Sequence, residues 1–201
     1  MVHPMTPTPL FSTILAMNKL KQRKRKGWVL RGVKNPESVA EHSWRSSTMA
    51  LLLAPPGYDQ DKLARMCLTH DVCEIFGEDY TPLDGISMEE KEKREKKSLD
   101  KFLKLMPRKQ AEEWRKLIQE FEEGKTKEAK LGKDIEVLEM VYQAYEYEKA
   151  KNFKKDLTEF LFTSQKRMKT KIGKKLFNEL KREWPKNAKE KFDAKKYKYY
   201  Y

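Results

Sequence analysis

The tightest constraint on this chain is its helix punctuation. Ser38-Val39-Ala40-Glu41 and Ser87-Met88-Glu89-Glu90 each have the form of a capping box. In such a box a hydroxyl and a carboxylate three residues on satisfy each other's free backbone N–H groups. Stop signals follow, Pro55-Pro56-Gly57 after the first box and Pro107 after the second. Between the signals, Leu63, Met66, Cys67, His70 and Glu74 recur at helical steps rather than in strict alternation. Only eight glycines among 201 residues leave too few turns for a sandwich or barrel, so the expected fold class is all-α.

The punctuation lays out a sequence of helices. After a ten-residue lead-in holding three prolines, a first helix runs from Phe11 into the basic cluster Lys19 to Lys26. Asn35-Pro36 interrupts the chain, and the Ser38 box opens a helix to about Leu53. The next begins near Asp59 to Asp61 and continues to Gly77, followed by a loop over 78–86. A charged helix then turns Leu99, Phe102 and Leu103 inward; another spans Lys109 to about Glu122 and stops at Gly124. A long helix from about Thr126 to Lys151, one capped by Asp156 and one from Ile172 to about Glu183 complete the set. With no internal repeat and no Gly/Ser linker, the expectation is a single domain over 1–201, its core at about 10–165 and a basic, aromatic extension at about 166–201.

Composition narrows the setting. The apolar run Ala50 to Ala54 is far short of the roughly 20 residues a membrane span requires. Cys67 and Cys73 are too few and wrongly spaced for a disulfide framework or zinc knuckle. Both read as reduced residues of a cytoplasmic protein. The net charge is +13, and residues 165–201, with 14 Lys/Arg against 4 Asp/Glu, carry +10 of it. Such basic segments attract phosphates of any kind. Nucleic-acid binding is therefore possible but not favoured over a solvated Lys/Glu surface.

Chemistry is concentrated in a few residues. Of three histidines, His3 lies in the lead-in, whereas His42 and His70 each follow or precede a carboxylate on an expected helix: Glu41-His42 and His70-Asp71. An imidazole with a carboxylate is a ligand set suited to Mn, Fe, Co or Zn. Glu74, four residues after His70, is expected on the same helix face, where it can hold an attacking water. Taken singly these residues have ordinary explanations: a core histidine, a surface aspartate, a capping glutamate, a turn-forming Asp79. Their joint spacing does not.

Gly27-Trp28-Val29-Leu30-Arg31-Gly32-Val33, Pro36-Glu37-Ser38-Val39-Ala40-Glu41-His42-Ser43 and His70-Asp71-Val72-Cys73-Glu74-Ile75-Phe76-Gly77-Glu78-Asp79 resemble the HD-domain 5′-deoxynucleotidases, with further likeness at 81–87, 121–126 and 143–148. The resemblance covers about residues 10–165. It implies an all-α HD domain with additional N- and C-terminal helices and a homodimer. It also implies a divalent metal (Mn, Co, Fe, Zn or Mg) on His42, His70 and Asp71. Glu74 would place or deprotonate the water, Asp79 would protonate the leaving oxygen, and Arg31 and Trp28 would face the nucleotide. The family's fourth ligand is an aspartate where this chain has Glu136, in Lys133-Asp134-Ile135-Glu136. Glu136 heads a stripe with Met140, Gln143 and Tyr147 and is expected to face the metal; Asp134, nearly opposite, is expected to be solvated or paired with a lysine. Some members also carry an arginine where this chain has Gly27, which leaves phosphate binding to Arg31 or the preceding basic cluster. The implied activity is hydrolysis of a nucleoside 5′-monophosphate. Triphosphate, cyclic-nucleotide or guanosine-polyphosphate hydrolysis, or a drifted nucleic-acid-binding role, are the alternatives.

Overall fold

The computed structural model describes residues 8–81 and 84–185, and its regular structure is helical. Thr8 caps α1 (Pro9–Gln22), with proline in the first turn where its missing N–H costs nothing. A short α2 (Lys26–Leu30) follows. The Ser38 box is present with both of its hydrogen bonds and opens α3 (Val39–Leu53). Asp59 caps α4 (Gln60–Thr69), Ser87 caps α5 (Met88–Leu103), and Gly124 ends α6 (Arg108–Glu123) in the left-handed conformation. Beyond these lie α7 (Lys127–Ala150), α8 (Thr158–Ser164), a 3₁₀ turn (Gln165–Arg167) and α9 (Lys171–Glu183). No described helix is long and apolar enough to cross a membrane.

α7 is the axis of the molecule. It packs against α3, α4, α6, α8 and α9, and Ala129, Leu131, Ile135, Leu138, Val141 and Ala144 are all buried along it. A helix apolar on several sides is one surrounded by others. α6 approaches so closely that a Cβ on Gly132 would come within 2.9 Å of the Phe121 ring.

Two expectations are corrected by the structure. The helix expected to reach Gly77 ends at Thr69, and a 3₁₀ turn over Val72–Ile75 replaces its last part. Asp71, at φ −97° and ψ 13°, is the residue that breaks it. Asp134 is not solvated. It is fully buried and accepts hydrogen bonds from Lys169 N (2.8 Å), Thr170 N (2.7 Å) and Thr170 Oγ1 (2.6 Å) at the start of α9. Leu161, Met168, Phe177, Leu180 and Trp184 of the C-terminal helices share one core with Trp28, Val137 and Val141. The expected tail over 189–201, and Pro82-Leu83 in the 78–86 loop, lie outside the described residues.

Candidate metal centre and cavity

Three elements bring the centre together. His42, on the first turn of α3, is fully buried; His70 closes α4; Asp71 opens the 3₁₀ turn. His42 Nε2 and His70 Nε2 are 3.3 Å apart, and Asp71 Oδ2 lies 3.2 Å from His70 Nε2 and 3.9 Å from His42 Nε2.

The other nitrogen of each ring decides what this trio can hold. His70 Nδ1 lies 2.8 Å from the Cys67 carbonyl, which only accepts, so Nδ1 donates. His42 Nδ1 is hydrogen-bonded to the Glu139 carboxylate. Burial first, then the charges of Arg25 and His70, lower the His42 pKa to about 3, so the ring is neutral. In a neutral imidazole with Nδ1 protonated, Nε2 carries a bare lone pair. Two such nitrogens and a carboxylate oxygen therefore converge, and electron-rich atoms this close need a cation between them. Burial opposes a charged His70, while Asp71 beside it raises its pKa, the sense in which a cation at this point is favoured. The donor set fits a divalent transition ion.

Glu74 does not follow His70 on an α-helix as expected. In the 3₁₀ turn it stands three residues after Asp71, the spacing at which 3₁₀ side chains stack. It is buried, and its Oε2 is without a hydrogen-bond partner. An orphaned buried oxygen beside the trio suits a ligand water. Burial, then Asp71 and Asp79, push the Glu74 carboxyl up to about 9, and a cation at the trio would act in the opposite sense. Asp79 is also raised, chiefly by burial, although it accepts a 2.6 Å hydrogen bond from Lys26 N.

These groups line a cavity of about 390 Å³. Asp71, Glu74, Asp79, Glu136, Arg25 and Lys91 line it, as do the apolar Leu30, Trp28, Met140 and Phe160. Glu136, expected as the fourth ligand, lines the cavity but is not part of the tight His42–His70–Asp71 group. Burial opposes its charge, while His70, Lys133 and Arg167 lower its pKa. Arg31 lines the cavity too, with its guanidinium paired to Glu159. Trp28 is only 1% exposed, its Nε1 donates to Glu37 at 2.8 Å and its ring packs on Tyr147 and Phe160. A bound base would meet this indole only at the wall.

Sequence reasoning missed several residues. Arg25 Nη1 is 3.3 Å from Asp71 Oδ2, yet among Lys19, Lys21, Arg23, Lys24 and Lys26 nothing local distinguishes it. Glu159, Phe160, Thr163 and Arg167 line the cavity from α8 and the turn after it. Glu139 carried a usable signal: an acid amid the buried run Val137, Leu138 and Val141.

Comparison with known proteins places the sequence and the fold. A family model described as "HD domain" matches residues 17–180. The chain is 33% identical over 153 residues to "5′-deoxynucleotidase hdd1" of Schizosaccharomyces pombe, covering 74% of this chain and 77% of that one. A solved structure of the PH0347 protein of Pyrococcus horikoshii OT3 superposes with a TM-score of 0.72 at 28% identity, covering 85% of this chain and 98% of the other. One described as a predicted metal-dependent phosphohydrolase, from Magnetospirillum magnetotacticum MS-1, gives 0.64 at 26% identity over 87% and 92%.

Proposed function

The chain belongs to the HD-domain family, and from that premise we propose that it is a metal-dependent phosphohydrolase that converts a (deoxy)nucleoside 5′-monophosphate to nucleoside and phosphate. The observation that carries the reading is the make-up of the cavity wall. It combines Asp71, through which the buried His42–His70–Asp71 trio meets the cavity, and an orphaned Glu74 oxygen with cations and an apolar surface. Its 390 Å³ falls within the range of small-molecule pockets, roughly 300–1,000 Å³. The relative's name, 5′-deoxynucleotidase, points the same way.

In this reading His42, His70 and Asp71 hold a divalent ion, with Glu136 as fourth ligand directly or through one water. Such an ion supplies Lewis acidity and brings the pKa of a water from about 15.7 towards 7. Glu74 orients the attacking water through Oε2 and accepts its proton. Arg25 and Lys91 offset charge on the phosphoryl oxygens as it develops. Asp79, whose pKa burial raises, is placed to protonate the departing 5′-oxygen. Arg31 and Trp28 shape the nucleotide's side of the cavity, with Phe160 and Met140 as apolar surface beside them.

Two further readings accompany this one. Leu10, Phe11, Ile14 and Leu15 form an exposed stripe on α1, and Trp44, Leu51 and Leu52 another on α3, all 46–78% exposed. Stripes of this kind support a homodimer, which light scattering of the purified protein measures directly. The unpaired thiols Cys67 and Cys73 support a reducing, cytoplasmic setting.

The test of function is inorganic phosphate release over a panel of nucleoside mono- and triphosphates, cyclic nucleotides and guanosine polyphosphates, each with Mn, Co and Mg. Release from monophosphates above all others is expected. Preference for a triphosphate, cyclic nucleotide or polyphosphate overturns the substrate, and no turnover of any substrate overturns the enzyme.

A further inference from the structure

Glu139 is fully buried on α7, where an unpaired carboxylate is costly. Both of its oxygens are engaged from α3. Oε2 meets His42 Nδ1, and Oε1 accepts from Arg45 Nε at 2.8 Å and Arg45 Nη2 at 2.7 Å. Arg45 Nη2 also donates to the Glu139 carbonyl at 3.2 Å, and its Nη1 lies 3.4 Å from Glu146. His42 and Arg45 are three residues apart, so one face of α3 presents both groups to a single residue of α7.

The direction of these bonds follows from donor chemistry. A guanidinium donates and never accepts, so the carboxylate is the acceptor for Arg45. A carboxylate held that way accepts from His42 Nδ1 as well, which leaves His42 Nε2 bare. Nε2 is the atom turned towards His70 Nε2 and Asp71 Oδ2. The bond fixes two things together: the position of the ring's proton, and the rotation of the ring about its own axis.

We propose that Glu139, clamped by Arg45, is a positioning residue that holds His42 in the Nδ1–H tautomer with Nε2 aimed at the ion site, and so sets metal affinity. This rests on reading His42 as a ligand. A carboxylate on the far nitrogen of a metal-bound imidazole fixes its tautomer and strengthens it as a donor, and losing one typically costs 10–100-fold in affinity. The Arg45–Glu139 pair, fully buried on the glutamate side and one-quarter exposed at Arg45, thus has a use besides cohesion. Cohesion alone is a weak reason for such a pair, since apolar residues of similar volume often replace one without loss.

The experiment uses full-length protein, stripped of metal and ¹⁵N-labelled at histidine. The chain has only His3, His42 and His70, so His3→Gln and His42→Gln assign the spectrum. Two-bond ¹H–¹⁵N correlation at pH 8 should show His42 protonated at Nδ1 and bare at Nε2. Glu139→Gln, whose amide oxygen still accepts from Nδ1, should keep that pattern and most of the Co affinity. Glu139→Leu combined with Arg45→Met, which leaves no orphaned charge, should mix the tautomers and weaken Co binding 10–100-fold. A wild-type His42 protonated at Nε2, or a double variant with wild-type spectrum and affinity, overturns the proposal. If the double variant does not fold, the wild-type spectrum and Glu139→Gln still decide. Failure of the ligand reading looks different: Co then moves neither His42 nor His70 in the wild type, whatever the tautomer.

Discussion

Replacing Asp134 or Glu136 by alanine separates two jobs that lie two residues apart on α7. Asp134 is fully buried and accepts from two backbone N–H groups and one hydroxyl at the start of α9. The alanine variant orphans the Lys169 and Thr170 amides, and each buried unpaired donor costs about 1–3 kcal/mol. It also frees Thr170 Oγ1, which caps the helix by accepting from Gly173 N at 3.0 Å. Together the loss is about 3–5 kcal/mol, which at about 2–4 °C per kcal/mol for a chain of this size lowers Tm by about 10 °C. Gly173→Ala attacks the same joint from the other side, because its Cβ would overlap Asp134 Oδ2. Co affinity should stay within about twofold in folded Asp134→Ala. Glu136→Ala should do the reverse, since its side chain is one-quarter exposed and lines the cavity. Its Tm should stay within about 2 °C, while Co affinity falls at least tenfold. Calorimetric titration and thermal melts of both variants give the four numbers. Equal affinity losses, or a greater loss in Asp134→Ala, would refute the assignment of Glu136 to the ion.

Other outcomes follow from the same geometry. Glu74→Gln should reduce turnover by roughly 10²–10⁴-fold, the range for one acid–base group, with metal content unchanged by elemental analysis; loss of metal would make Glu74 a ligand. Burial, then Glu139, push the Glu37 carboxyl up to about 7. Between its unfolded value near 4.5 and 7 the native state binds the extra proton, so metal-free stability falls as pH rises through that window. Glu37→Gln should flatten this part of a urea-denaturation pH series, and an unchanged slope assigns the effect elsewhere. Removing residues 189–201 should leave turnover of a small nucleotide unchanged, because every group assigned to the reaction lies before Pro185; a large loss in a truncated but helical protein contradicts that.

Local signals were read well and long-range ones poorly. The Ser38, Asp59 and Ser87 caps and the Gly124 stop occur where residue chemistry places them, because each acts within one helical turn. The proximity of His42 and His70 was legible only through joint spacing and family resemblance, since α3 and α4 meet by packing. Periodicity carried the α4 helix past His70, because a 3₁₀ turn and an α-helix share similar side-chain steps over one turn. The error mattered chemically: the break at Asp71 sets its carboxylate against both imidazoles. Asp134 was misread for a related reason, as helical position gives direction but not what packs there, and the occupant is the start of α9. Glu159 and Phe160 reach the cavity through a chain reversal after Lys151, which has φ +50°.

The proposed hydrolysis depends on an ion held by His42, His70 and Asp71. The most direct measurement is titration of metal-stripped protein with Co, following bound ion and phosphate release from a deoxynucleoside 5′-monophosphate in the same samples. No release without metal is expected, with a rise that saturates at one ion per chain and loss of both signals in His70→Gln. Release that persists in chelator, or ion binding and turnover undiminished in His70→Gln, would contradict it.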